Sequence, residues 1–236
     1  RMQSEKSLKE YLKEKYGDKR RTEIIYDYEE FSLEDIIAEE DVVVTISHQG
    51  FIKRFPVSGY RKQGRGGKGV IGSGTKEDDF IEHMFIASTH HYILFFTEKG
   101  KCYWLKMFEI PEGGRASKGR SILNLLQKEK EDNITAFVTV KEFSETNYLI
   151  MATQQGTIKK TVLSAYGNVR KGGINAINLV DTDKLIEVKM TDGNNDIVIG
   201  TKNGFAIRFN EKDVRDMGRT ATGVRGGRLS KGDMVV

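Results

Sequence analysis

From residue 41 the chain repeats itself, and a repeat restricts the possible folds more than any composition does. Four segments share one pattern: VVVTISHQGFIKRF, YILFFTEKGKCYWL, YLIMATQQGTIKKT and IVIGTKNGFAIRFN. Each is a β-rich apolar run, then Ser or Thr, two mostly polar residues and a glycine, then a second strand-like run. The anchoring glycines are Gly50, Gly100, Gly156 and Gly204, spaced 50, 56 and 48 residues apart. One unit reads as a β-hairpin, because the glycine supplies the positive φ that a tight turn needs. Ahead of three hairpins lies a further strand candidate: FIEHMFIAST, NITAFVTVKEF and KLIEVKM. About four strands per unit at a period near 50 residues is the pattern of a propeller. The chain has two prolines and little helical periodicity after residue 41, so a parallel α/β fold has no helices to draw on. The expected class is all-β, with four recognisable blades. The last residues, LSKGDMVV, read as the first strand of a fifth unit.

Residues 1–32 read differently, as a short helical tail and linker, with the repeat domain over 33–236. Leu8, Tyr11, Leu12 and Tyr16 recur at helical spacing, Glu5 and Lys9 form an i,i+4 pair, and Gly17 is expected to end the helix as a left-handed cap. The charge divides along the same line. Residues 1–40 hold 8 basic and 12 acidic residues; residues 41–236 hold 30 and 22. The excess positive charge belongs to the repeats, which raises the expectation of a nucleic-acid partner. No run approaches the ~18 apolar residues of a membrane span, and the start lacks the apolar core of a signal peptide. One cysteine, Cys102, leaves no internal disulfide framework and fits a reducing, cytoplasmic setting. His48, His83, His90 and His91 lack metal-ligand spacing and read as surface or sheet residues.

A glycine-rich basic loop follows each hairpin. The first carries Lys53, Arg54, Arg61, Lys62, Arg65 and Lys68 with no acidic residue; the second Arg115, Lys118 and Arg120; the third Arg170 and Lys171; the fourth Arg219, Arg225, Arg228 and Lys231. Four residues after the anchor stand Arg54, Lys160 and Arg208, but Trp104 in the second unit; Lys159 precedes Lys160. Repeated loops of successive blades form an arc of positive charge, which suits a long bent polyanion better than a small phosphate. Gly64, Gly66 and Gly69 do spell G-x-G-x-x-G. That fingerprint needs an apolar strand before it and a helix after it; Tyr-Arg-Lys-Gln and Val-Ile-Gly-Ser-Gly provide neither.

The stretch Gln63-Gly64-Arg65-Gly66-Gly67-Lys68-Gly69 resembles the signature heptapeptide of the DNA gyrase A C-terminal domain family, with Gly64 where the family has a basic residue. VVVTISHQGFIKRFPVSGYRKQGRGGKGV is similar to the family's first blade, and EKYGDKRRTEI to its entering segment. The resemblance covers essentially the whole chain. It implies a β-pinwheel, a propeller-like disc of about six blades that exchange strands with their neighbours. It also implies a role: wrapping double-stranded DNA around a basic rim, so that a segment is presented for ATP-dependent strand passage and negative supercoiling. The signature loop Gln63–Gly69 is then needed for wrapping, with the other rim cations beside it. No catalytic residue or cofactor is implied in this chain. The active-site tyrosine belongs to the upstream catalytic domain of gyrase A, and ATP and Mg to other domains of an A2B2 assembly with gyrase B, in the bacterial nucleoid. The equivalent domain of topoisomerase IV, a decatenating relative, is the alternative; the near-intact heptapeptide favours gyrase.

Overall fold

The structure is a computed structural model that describes residues 2–18, 22, 33–59, 78–114, 116–129, 131–168, 170 and 172–236, with backbone alone for residues 2–7. It divides into two compact units, Arg1–Ile36 and Ile37–Val236. The first contains helix α1 (Met2–Tyr16) and a one-turn helix α2 (Leu33–Ile36). Leu8, Tyr11, Leu12 and Tyr16 are exposed. Gly17 differs from expectation. Its N–H donates to the Lys13 carbonyl at 3.0 Å and its φ lies outside the left-handed region, so the helix ends by a final α-type bond.

The second unit is built of antiparallel sheets in chain order. The first hairpin is β1 (Asp41–Ser47) and β2 (Phe51–Pro56), followed by β3 (Ile81–Ser88). The second is β4 (Tyr92–Thr97) and β5 (Lys101–Lys106), followed by β6 (Arg120–Ser121) and β7 (Ile134–Val140). The third is β8 (Tyr148–Thr153) and β9 (Thr157–Val162), followed by β10 (Ile174–Asn175) and β11 (Leu185–Thr191). The fourth is β12 (Asp196–Gly200) and β13 (Ala206–Asn210), followed by β14 (Val224–Arg225).

The sheet orders are β3-β1-β2-β6, β10-β5-β4-β7 and β11-β8-β9-β14, with β12-β13 as a pair. Each of the first three hairpins therefore takes its third strand from the segment that follows it, and its fourth from the loop beyond the next hairpin. This is the strand exchange of a β-pinwheel. The run ahead of each later hairpin belongs to the sheet behind it, so β3 pairs with β1 rather than with β4. The C-terminus corrects the reading of a fifth unit in the same way. Val235 pairs with Thr201, the place that Ile81 holds opposite Ser47, Ile134 opposite Thr97 and Leu185 opposite Thr153. It belongs to the fourth sheet.

The unbroken apolar runs have a packing cause. On β4, Ile93 and Phe95 face the core shared with the first sheet, while Leu94 and Phe96 face the core shared with the third. On β8, Leu149 and Met151 face one way and Ile150 the other. A strand covered on both faces is apolar at every position rather than at alternate ones.

The turns follow the sequence pattern closely. Gly50, Gly100, Gly156 and Gly204 have φ of 77°, 78°, 83° and 84°. Each donates its N–H to the carbonyl of Ser47, Thr97, Thr153 or Thr201 at 2.9–3.0 Å. The hydroxyls of those residues accept the N–H of Phe51, Lys101, Thr157 and Phe205, which explains why the position is Ser or Thr.

Candidate nucleic-acid interface

The second, third and fourth basic loops lead into the exchanged strands. Gly119, Gly173 and Gly223 precede β6, β10 and β14 with φ of 77°, 77° and 106°. A Cβ added at Gly119 or Gly223 would lie 2.8 or 2.7 Å from the carbonyl oxygen of Ile52 or Ile158. The loop crosses the neighbouring strand too closely for any side chain, so glycine is required there. Each of these three loops is thereby pinned to the edge of the preceding sheet.

The loop cations fall into two groups. Lys118, Arg120, Arg170, Arg225 and Arg228 are exposed, at or beside equivalent exchanged strands of successive sheets, and Arg219 is half-buried. Arg208 is also exposed, and pairs with Asp196 of its own hairpin. The strand cations of the first and third hairpins face inward, contrary to the expectation that they line the rim. Lys53 is 2 % exposed, and its ammonium donates to the carbonyls of Ser117 and Gly114 at 2.5 and 3.3 Å. Arg54 donates through Nε to the Ile110 carbonyl at 2.8 Å and pairs with Glu112 at 3.2 Å. Lys159 is 0 % exposed; its ammonium donates to the Ala176 carbonyl at 2.5 Å and to that of Arg219. Lys160 donates to the Glu211 carbonyl and pairs with Asp216, both at 3.1 Å. The reason is topological. A strand residue of one sheet faces the loop of the next, whose backbone carbonyls need donors once buried.

Burial depresses the pKa of Lys53. At Lys159, burial first and then the nearby Arg219 guanidinium lower it to about 8. In the second sheet the equivalent positions are Tyr103 and Trp104. Tyr103 is buried against Gly173, and burial raises its phenol pKa. The Trp104 indole N–H is buried without a partner among the described residues. Cys102 is buried, and burial pushes its thiol pKa well up, which suits a packed core residue. Of the other expected site residues, Arg61, Lys62, Gln63, Gly64, Arg65, Gly66, Gly67, Lys68, Gly69, Arg115 and Lys171 lie outside the described residues.

Sequence reasoning missed a second repeated element. Asp79, Asp132, Asp183 and Asp233 each accept a hairpin-turn amide, from Gln49, Lys99, Gln155 and Asn203, at 2.9–3.0 Å. Burial raises the Asp79 and Asp233 carboxyls, but hydrogen bonds from Ser47 or Thr201 and from two amides hold both below the usual range. The signal was legible as Asp-x-aliphatic before each third strand, recurring every 50 to 53 residues.

Among the described residues no group of His, Cys, Asp and Glu could hold a metal ion, and no helix is long and apolar enough to cross a membrane. What the second unit offers is repeated exposed cations on backbone-pinned loops. Such an array can contact successive phosphates of a polyanion.

A family model described as DNA gyrase C-terminal domain, beta-propeller, matches residues 41–88, 91–141, 147–192 and 195–236. The DNA gyrase A protein of Halalkalibacterium halodurans is 52% identical over 215 residues, spanning 91% of this chain and 26% of that protein. The chain thus spans about a quarter of the length of the curated relatives it matches. A crystal structure of the C-terminal domain of DNA topoisomerase IV aligns with a TM-score of 0.73 at 30% identity, over 85% of this chain and 61% of that one. A DNA gyrase A C-terminal domain structure aligns with a TM-score of 0.63 at 28% identity, over 84% and 64%.

Proposed function

Because this chain belongs to the DNA gyrase C-terminal domain family, we propose that it binds duplex DNA without sequence preference and bends it along its basic loops. The bound segment is presented to the strand-passage machinery of a gyrase, for ATP-dependent negative supercoiling. The observation that carries this reading is the recurrence of exposed cations at equivalent exchanged strands: Lys118 and Arg120, Arg170, then Arg225 and Arg228. Contacts of this kind reach phosphate and carry no base readout. Several are needed, since bending a short duplex by 40–90° costs on the order of 1–6 kcal/mol.

Under this reading the chain performs no chemistry itself. The catalytic domain of gyrase A, the gyrase B partner, ATP and Mg belong to the rest of the assembly, in the cytoplasm at the nucleoid. The signature loop Gln63–Gly69 is assigned the clamp that completes the wrap. The equivalent role in topoisomerase IV is less well supported, since the gyrase A relative is 52% identical and the topoisomerase IV domain 30%.

The test is duplex affinity against salt. Neutralising about six phosphates gives a log–log slope near −5, with similar affinities for unrelated sequences. A flat salt dependence overturns the reading.

A further inference from the structure

The inward-facing lysines Lys53 and Lys159 are buried, yet each touches a loop that carries exposed cations. Lys53 lies on β2 and reaches across to the carbonyls of Gly114 and Ser117, one residue short of Lys118. Lys159 lies on β9 and joins two segments. One of its acceptors, Ala176, directly follows β10; the other, Arg219, lies in the loop leading to β14. Arg219 turns back in the same place, donating from its guanidinium to the Asn175 carbonyl at 3.2 Å. The Tyr166 hydroxyl donates to the Ala176 carbonyl at 3.2 Å.

Two cations and a phenol thus converge on consecutive carbonyls of one loop junction. A lysine ammonium has three donors and no acceptor, so it suits bare carbonyls from two chain segments at once. Its burial is costly, which excludes an incidental placement at a water-facing surface. Lys53 and Lys159 hold the same place, three residues after Gly50 and Gly156, and at Lys53 the ammonium meets two carbonyls of a single loop.

We propose that Lys53 and Lys159 are positioning residues of the DNA interface: each holds, from behind, the backbone of the next blade's basic loop, so that the loop's exposed cations keep fixed places along the DNA. Lys53 sets Lys118 and Arg120; Lys159 sets Arg225 and Arg228. The inference rests on the DNA-binding reading above and adds to it the residues that fix the contact geometry without touching phosphate.

The experiment uses this chain with Lys53→Met and Lys159→Met, which keep the stem length and remove the donors. Lys53→Gln and Lys159→Gln, which retain an N–H donor, serve where a methionine variant does not fold. A short end-labelled duplex reports affinity, salt slope and bend, and hydrogen exchange reports the loops. Exchange should rise about tenfold in residues 113–121 for Lys53→Met and 217–225 for Lys159→Met, with β4 unchanged. The salt slope should fall by about two units, because two loop cations drop out at about 0.9 each, and the bend should shrink. Lys118→Ala, a direct contact, should lower the slope by about one unit without faster loop exchange.

A slope drop of about one unit with quiet loops would make the lysines phosphate contacts and overturn the positioning role. Unchanged slope and bend in folded variants would leave them only structural, which also overturns it. If the unsubstituted chain binds no duplex, the DNA-binding reading itself falls, and this inference with it.

Discussion

The joint between the first and second sheets and the joint between the second and third solve one problem with opposite chemistry. At both, an exchanged strand of two residues pairs with the hairpin behind it, Phe51 and Ile52 with β6, Lys101 and Cys102 with β10. At the first joint, Lys53 and Arg54 tie the following loop by its carbonyls and by Glu112. The joint between the third and fourth sheets repeats this with Lys159, Lys160 and Asp216. At the middle joint Tyr103 and Trp104 stand instead, and Tyr103 packs on the backbone of Gly173. The polar joints satisfy loop carbonyls with donors; the aromatic joint covers the loop with apolar surface. Buried polar contacts specify one loop position, because a shifted carbonyl loses its donor, whereas an aromatic face tolerates sliding. The loop held by cations should therefore be the more fixed one.

Four measurements put this contrast at risk. The largest effect is expected from Tyr103→Ala, which empties a buried ring site and should cost about 4 kcal/mol in urea unfolding, independent of salt. A cost below about 1 kcal/mol would mean that the middle joint does not rest on that ring. Next, Lys159→Ala leaves the carbonyls of Ala176 and Arg219 without their ammonium donor and should cost about 3 kcal/mol. A neutral result would remove the polar joint as a stabilising device.

The third measurement is pH, where the two joints should move in opposite directions. The pKa of Lys159 falls on folding from 10.5 to about 8. Between those values the unfolded chain holds a proton that the folded chain has released. Lys159 therefore makes stability rise with pH across that window, by about 3 kcal/mol, and Lys159→Met should remove that part of the rise. Tyr103 has the reverse sign. Its folded pKa is raised above 10.0, so its contribution is full below pH 10 and is lost as pH climbs past that. A stability curve that is flat from pH 8 to 10 would contradict the buried lysine. The smallest effect is expected from Arg208→Ala. Arg208 sits one residue beyond the place equivalent to Lys159, yet it is exposed and, among the described residues, bonded within its own hairpin to Asp196. Its loss should cost under about 1 kcal/mol. A larger loss would show that sequence position, rather than burial against a next loop, gives these cations their weight.

Much of the molecule was legible in advance because it is local. A glycine with φ near 80° and a Ser or Thr three residues before it define a turn within four residues, so the four hairpins could be read from the chain alone. The apolar runs announced strands, and the cover on both faces of β4 explains why they are unbroken. The basic loops were legible as composition. What was misassigned is non-local. The partner of β3 is β1 rather than β4, Val235 bridges to the fourth hairpin at Thr201, and Lys53, Arg54, Lys159 and Lys160 face a loop some 50 or 60 residues ahead. The Asp79 series needed both kinds of knowledge, since its spacing is in the sequence while its acceptor role appears only when the third strand returns to the turn.

By itself, then, the sequence determined the repeat, the turns and where the positive charge accumulates, since each depends on residues close together in the chain. Only the tertiary structure decided which cations face solvent and which support the loops. Strand exchange places each hairpin beneath the next blade's loop, and a lysine buried there finds carbonyls where an exposed one would find water.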